Sequence, residues 1–281
     1  MHNRIITGSL LLSFFTLSLI YLPTSIIALI FTIIVLYAIY ELMKILSFSY
    51  KKIFIYLLFC LIFMYSLVKY NTHFLVVYLT YINLFIWFII SLAFLFIIPK
   101  NRDIFKKIYF LLTFYLLLSS WFLLISLGAT NASDLLKYNF LLFSEMHNTT
   151  INYYYIFLIA LVSISDSSGY FIGKNFGSRQ LYPSISPNKT YEGFYASILL
   201  PLLIFYIFTY AILKSEIFLS DYILFILCCM YCTIGDLYIS MVKRYNNVKD
   251  SGKILPGHGG VLDRLDSYLP LIPILQIWMF I

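Results

Sequence analysis

The chain is a succession of long apolar runs separated by short polar breaks. The runs lie near 5–21, 25–43, 53–68, 74–98, 108–128, 151–173, 194–213, 222–242 and 265–281. A helix needs about 20 apolar residues to cross the hydrocarbon core of a bilayer. Inside lipid a segment must satisfy its own backbone hydrogen bonds, which a helix does. The pattern therefore predicts an all-α, polytopic integral membrane protein with about nine transmembrane helices. The first run follows Arg4, is long for the core of a signal peptide and has no small-x-small cleavage site after it, so it reads as a retained helix.

Composition narrows the class. Of 281 residues, 62% are hydrophobic and 11% charged, against roughly 45–50% and 25% in soluble domains. A cytosolic enzyme, a disordered chain and a secreted disulfide scaffold are excluded. Cys60, Cys228, Cys229 and Cys232 all fall in apolar runs, and Cys229-x-x-Cys232 has no further ligands at zinc spacing. They read as small apolar residues.

Charge then orients the bundle. With nine spans, sixteen of the 19 lysines and arginines fall on one side, from Arg4 through the 100–107 and 174–189 breaks to Arg264, and only Lys69, Lys137 and Lys214 on the other. The positive-inside rule places the N-terminus and the sixteen in the cytoplasm. The net charge of +7 is thereby a topological signal and implies no nucleic-acid partner. Two windows, 166–193 and 236–266, hold 14 of the 31 charged residues, and both open on the cytoplasmic side. Residues 1–130 therefore read as a transmembrane scaffold of about five helices, in which Glu41 is the exceptional ionisable group. Residues 131–281 read as the catalytic region, with cytoplasmic loops 174–193 and 243–264.

In the sixth span Asp166, Tyr170 and Lys174 recur every four residues and share a helix face. A carboxylate that deep costs roughly 2.5–3.5 kcal/mol, so Asp166 should face a wet cavity or a cation, or bond a neighbouring helix. Ser165, Gly169, Gly173 and Gly177 form a second stripe, and small residues at that spacing let helices approach closely. In the eighth span Asp236, Ser240, Lys243 and Asn247 fall at i, i+4, i+7 and i+11, a polar face with Arg244 beside it. Lys243-Arg244 alone would be an ordinary basic helix end, but Asp236 in line brings anion-binding and cation-binding groups together.

Two loops add candidates. Ser186-Pro187-Asn188-Lys189-Thr190-Tyr191-Glu192-Gly193 offers hydroxyls and an ammonium for an anionic head group, although its Ser/Pro/Asn/Lys content is that of an ordinary connector. Lys249-Asp250-Ser251-Gly252-Lys253 continues to Pro256-Gly257-His258-Gly259-Gly260, whose backbone amides can approach a phosphate unobstructed. His258 is as readily a turn residue as a substrate contact. Asp263 and Asp266 follow at i, i+3, a spacing suited to hard divalent cations. Carboxylates for Mg²⁺ together with Lys/Arg clamps match phosphoryl or nucleotidyl transfer.

The stretch Ser240-x-x-Lys243-Arg244-x4-Lys249-Asp250-x-Gly252-x2-Leu255-Pro256-x-His258-Gly259-Gly260-x2-Asp263-Arg264-x-Asp266 resembles the signature of the phosphatidate cytidylyltransferase family. Asp166-x3-Tyr170-x2-Gly173-Lys174, Ser186-Pro187-x-Lys189-Thr190-x-Glu192-Gly193 and Gly235-Asp236-Leu237 are similar to it as well. The resemblance departs at Tyr195-Ala196-Ser197, where relatives tend to carry small glycines.

The resemblance implies transfer of the cytidylyl group from CTP to phosphatidate, giving CDP-diacylglycerol and diphosphate, on a membrane-embedded and commonly dimeric helical scaffold. It implies Mg²⁺, with Asp236 and Asp263 as metal carboxylates, and the expectation is a two-metal site held by Asp236, Asp263 and Asp266 or Asp166. Lys243, Arg244, Lys249 and Arg264 would clamp phosphates, Ser186, Lys189 and Ser240 would orient head group or CTP, and Thr190, Asp250, Gly259 and Gly260 would line the substrate. A bacterial inner membrane is the expected setting, with the active site facing the cytoplasm. A related enzyme acting on an ether-lipid phosphate or a polyprenol, and a transporter with carboxylates in its bundle, are the alternatives.

Overall fold

The computed structural model describes residues 13, 16–70, 72–96, 102–129, 150–213, 218–254 and 259–280. Its long helices are α1 (Thr24–Ile45), α2 (Tyr50–Lys69), α3 (His73–Phe96), α4 (Arg102–Ala129) and α5 (Thr150–Phe176). A hairpin follows, β1 (Gln180–Tyr182) and β2 (Ser186–Thr190), and then α6 (Tyr191–Ile207), which runs on as a π-helix over Phe208–Leu213. The chain continues through α7 (Leu219–Tyr245), the single turn α8 (Leu262–Leu265) and α9 (Tyr268–Phe280).

Among the described residues seven helices, α1 to α7, are long and apolar enough to cross a membrane. They coincide with the second to eighth predicted spans. The first predicted span, with Arg4, lies largely outside the described residues, as does the 130–149 stretch. The ninth is present as α9, described over 13 residues. Its Leu269, Leu271, Ile272, Ile274 and Leu275 are buried against α7, α3 and α4, so this helix packs inside the protein.

The centre of the bundle is α4 against α7. Tyr238 on α7 shares a 2.9 Å hydrogen bond with Thr113 on α4, and its ring meets Trp87 of α3 edge-on. Tyr109 stacks on Tyr245. By contrast α2 leaves Phe54, Ile55, Leu58, Phe59 and Ile62 exposed, the wall that lipid would cover. Small residues bring α5 and α6 together as the stripe predicts: a Cβ on Gly169 would stand 3.2 Å from both Gly193 O and Ser197 Cβ, and Ser165 Oγ donates to Ser197 O at 2.9 Å. Ser197 is small enough to serve at that contact without a glycine.

Where a polar connector was expected, residues 180–190 form an antiparallel hairpin, with Gln180 opposite Thr190 and Tyr182 opposite Ser186. Tyr182 anchors it, its hydroxyl donating to Phe94 O at 2.9 Å on α3. Both helices that carry central site residues end in one turn type. After α1, Ser47 (φ 58) sits between bonds from its own N–H to Lys44 O and from Phe48 N–H to Met43 O. After α7, Asn247 (φ 57) does the same with Arg244 O, and Val248 with Lys243 O. These are Schellman ends without the usual glycine.

Candidate active site

The site is assembled where α1, α5 and α7 end, together with the hairpin and the loop into α8. Asp236 lies on α7 one turn before Ser240, whose Oγ donates to Asp236 Oδ1 at 3.2 Å. From β2, Lys189 Nζ reaches Asp236 Oδ2 at 2.6 Å, with the two side chains 25% and 32% exposed, so the pair stays open to solvent. Burial works to lower the Lys189 pKa, but the charge and hydrogen bond of Asp236, with Asp166 and Asp266, hold it above the ordinary lysine value.

Two turns on, Lys243 Nζ donates to Asp263 Oδ1 at 2.6 Å, and this pair is enclosed, at 9% and 8% exposure. Asp263 Oδ2 accepts from Ser251 N at 2.9 Å and Gly260 N at 3.0 Å. Gly259 makes that turn possible: its φ is +82°, and a Cβ there would stand 2.7 Å from Asp263 Oδ2. Asp266 is buried, its Oδ1 accepting from Ser267 N at 2.8 Å, within electrostatic reach of Asp236, Asp166 and Lys243. Asp166, exposed on α5, lies within reach of Lys189, Asp236 and Arg264. Four predicted carboxylates thus gather with Lys189, Ser240, Lys243, Gly259, Gly260 and Arg264.

Other candidates are engaged elsewhere. Thr190 is the N-cap of α6, its Oγ1 accepting from Gly193 N at 3.1 Å, and Ser186 opens the second hairpin strand. Arg244 directs Nε to Ile185 O at 3.1 Å and Nη1 to Val248 O at 3.2 Å, tying the hairpin turn to the end of α7. Lys249 and Asp250 are exposed just beyond. Asn247 falls off the Asp236–Lys243 face because α7 ends at Tyr245 and Asn247 turns left-handed. His258, with Pro256 and Gly257, lies outside the described residues.

Sequence reasoning passed over the role of Glu41. This α1 carboxylate is 1% exposed, and its Oε2 accepts from Ser251 Oγ at 2.8 Å and from Leu262 N at 2.9 Å. The available signal was a lone acid in an apolar run; its partners, more than 200 positions away, leave no mark in the pattern.

Among the described residues no three His, Cys, Asp or Glu side chains gather closely enough to hold a metal ion by themselves. Mg²⁺ needs no such cage, since it is usually held by one or two carboxylates plus substrate phosphates and waters. The carboxylates here are oxygen donors of the kind that Mg²⁺ takes. Two ammonium groups beside these carboxylates give the site both charges that a phosphate and its counter-ion require.

The chain is 44% identical over 122 residues to the phosphatidate cytidylyltransferase of Bacillus subtilis (strain 168), a match covering 43% of this chain and 45% of that protein. It is 40% identical over 139 residues to that of Staphylococcus epidermidis (strain ATCC 12228 / FDA PCI 1200), covering 49% and 53%. To that of Staphylococcus aureus (strain COL) it is 40% identical over 143 residues, again covering 49% and 53%. The chain spans about half the length of the curated relatives it matches. The model of the cytidylyltransferase family matches residues 2–281. With almost its whole length matched in this way, the chain belongs to the cytidylyltransferase family.

Proposed function

We propose that this membrane protein transfers the cytidylyl group of CTP to phosphatidate. The observation that carries the reading is the meeting of the Lys189–Asp236 and Lys243–Asp263 pairs at one end of a lipid-embedded bundle, in a chain of this family. A phosphate monoester is already anionic near neutral pH, so the attacking oxygen of phosphatidate needs no strong base. That oxygen bonds to the α-phosphorus of CTP, the bond from the α-phosphorus to the bridging oxygen breaks, and diphosphate leaves with the electron pair. CDP-diacylglycerol stays in the membrane.

The residues then divide by chemistry. Lys189 and Lys243 exchange their aspartates for phosphate oxygens, and Arg264 adds a further cation. Ser240 and the amides around Gly259 and Gly260 orient the anion. Asp236 and Asp263, with Asp266 or Asp166, are the residues that would hold Mg²⁺, whose charge would offset that of the phosphates. The setting is a bacterial inner membrane, the site faces the cytoplasm from which CTP arrives, and the protein works as a homodimer.

The test is an assay of the purified protein in detergent with CTP, phosphatidate and Mg²⁺, beside Asp263→Asn. The wild type is expected to make CDP-diacylglycerol and the variant to be slower by about 100-fold or more, the scale of removing one preorganised electrostatic group. Comparable rates in the two folded proteins would overturn the role of Asp263. A wild type active only on ether-lipid phosphate or a polyprenol would overturn the substrate, and ion flux into proteoliposomes without CTP would favour a transporter.

A further inference from the structure

We infer that Glu41, on α1 in the N-terminal half, is a positioning residue that holds the two described loop segments 251–254 and 259–262 and, through them, sets the orientation of Asp263 in the reaction proposed above. Nothing in the family match or in the named relatives assigns it a role.

A carboxylate that is 1% exposed in a membrane protein is retained only with strong partners. Those of Glu41 are the two ends of one loop, Ser251 Oγ and Leu262 N, both bonded to Oε2. Asp263 Oδ2 accepts from Ser251 N as well and from Gly260 N, two residues before Leu262. Ser251 is thus shared, its side chain bound to one carboxylate and its amide to the other. Any movement of the loop away from Glu41 carries off the two amides that fix Asp263 against Lys243.

The loop backbone lies directly on the Glu41 side chain. A Cβ on Gly252 would collide with Oε1 and stand 2.9 Å from Cδ, and one on Gly260 would stand 2.6 Å from Oε1. The length of the residue is therefore constrained, whereas its charge is not required by the bonding. Both hydrogen bonds converge on one oxygen, so a glutamine amide oxygen can accept them. Aspartate, one methylene shorter, cannot reach. Glu41→Gln should keep the loop in place while Glu41→Asp and Glu41→Ala release it.

The first measurement needs no substrate. Lys253 is exposed in this segment and Lys249 just before it, so trypsin cleavage after them, in the full-length detergent-solubilised protein, reports how firmly the segment is held. Cleavage is expected to be about tenfold faster in Glu41→Asp and Glu41→Ala than in wild type, as for a locally opened segment, and unchanged in Glu41→Gln. The second is kinetic. The Asp and Ala variants should lose about 10- to 100-fold in kcat, the cost of misplacing a reacting group by about 1 Å, with the KM for phosphatidate within about twofold and Glu41→Gln close to wild type.

Ser251→Ala, which removes one handle and leaves the carboxylate in place, gives a milder variant should the others fold poorly. Its effect is expected to vanish in the Glu41→Ala background, the non-additivity of residues acting through one contact. Equal cleavage in all variants, additive effects of Glu41→Ala and Ser251→Ala, or a Glu41→Gln protein as slow as Glu41→Ala would overturn the inference. A wild type without cytidylyl transfer would overturn the reaction instead, and proteolysis would still decide whether Glu41 anchors the loop.

Discussion

Lys189 and Lys243 each meet an aspartate at 2.6 Å, yet the two pairs sit in different surroundings. The Lys243–Asp263 pair is enclosed and keeps further bonds to the loop. The Lys189–Asp236 pair is about a quarter to a third exposed, so its worth lies between the about 0–1 kcal/mol of a surface pair and the about 3–5 kcal/mol lost on breaking a buried one. The Lys189 pKa is raised in the folded protein. Its contribution is therefore fully present below the unfolded lysine value of about 10.4, and it is lost as pH rises through the higher folded value. Thermal unfolding of wild type and Lys189→Met in detergent should show a constant gap near neutral pH that closes only under strongly alkaline conditions. A gap that closes below about pH 9 would contradict a raised lysine pKa. At this scale part of the arrangement was legible: Asp236, Ser240 and Lys243 share the α7 face that their spacing predicts. Arg244 was not, because a guanidinium one residue from a helix end reads alike whether it serves phosphates or the carbonyls of Ile185 and Val248.

Helix contacts hold these residues in place, and glycines decide how near the helices come. Gly235 on α7 is the tightest such point: a Cβ there would collide with Asp266 O and stand 2.9 Å from Pro270 Cγ on α9. Gly235→Ala should therefore cost about 1–3 kcal/mol of stability as an overpacked contact and move Asp266 away from Asp236. Gly169→Ala, with its nearest contacts at 3.2 Å, should cost less, and melting curves of the two variants give the order. The α5–α6 approach was readable from the four-residue stripe of small residues. The hairpin was not, because Ser186-Pro187-Asn188-Lys189-Thr190 carries turn formers and few strand formers; what holds it is tertiary, Tyr182 on Phe94 and Arg244 on Ile185. The left-handed Ser47 and Asn247 were equally silent, since glycine is the residue that normally announces such a turn.

For the molecule as a whole, hydropathy located seven spans within a few residues, because each must carry its own apolar surface through lipid. The division into an N-terminal scaffold and a C-terminal catalytic region is crossed by Glu41, so the first half supplies part of the site's framework. Orientation is open to direct measurement. The described cysteines are all buried, and Asn188 is exposed in the hairpin. A membrane-impermeant maleimide should label Asn188→Cys in inverted vesicles and spare it in right-side-out ones, and the opposite pattern would reverse the topology.

The two ion pairs also bear on how such a chain is made. In each, the lysine precedes its aspartate in order of synthesis, Lys189 before Asp236 and Lys243 before Asp263. Each carboxylate therefore leaves the ribosome with its counter-charge already produced, and neither has to await a nucleotide, a lipid or a metal to be neutralised. Two of the four carboxylates at the site can thus be inserted into the membrane already paired within the chain, before any substrate reaches them.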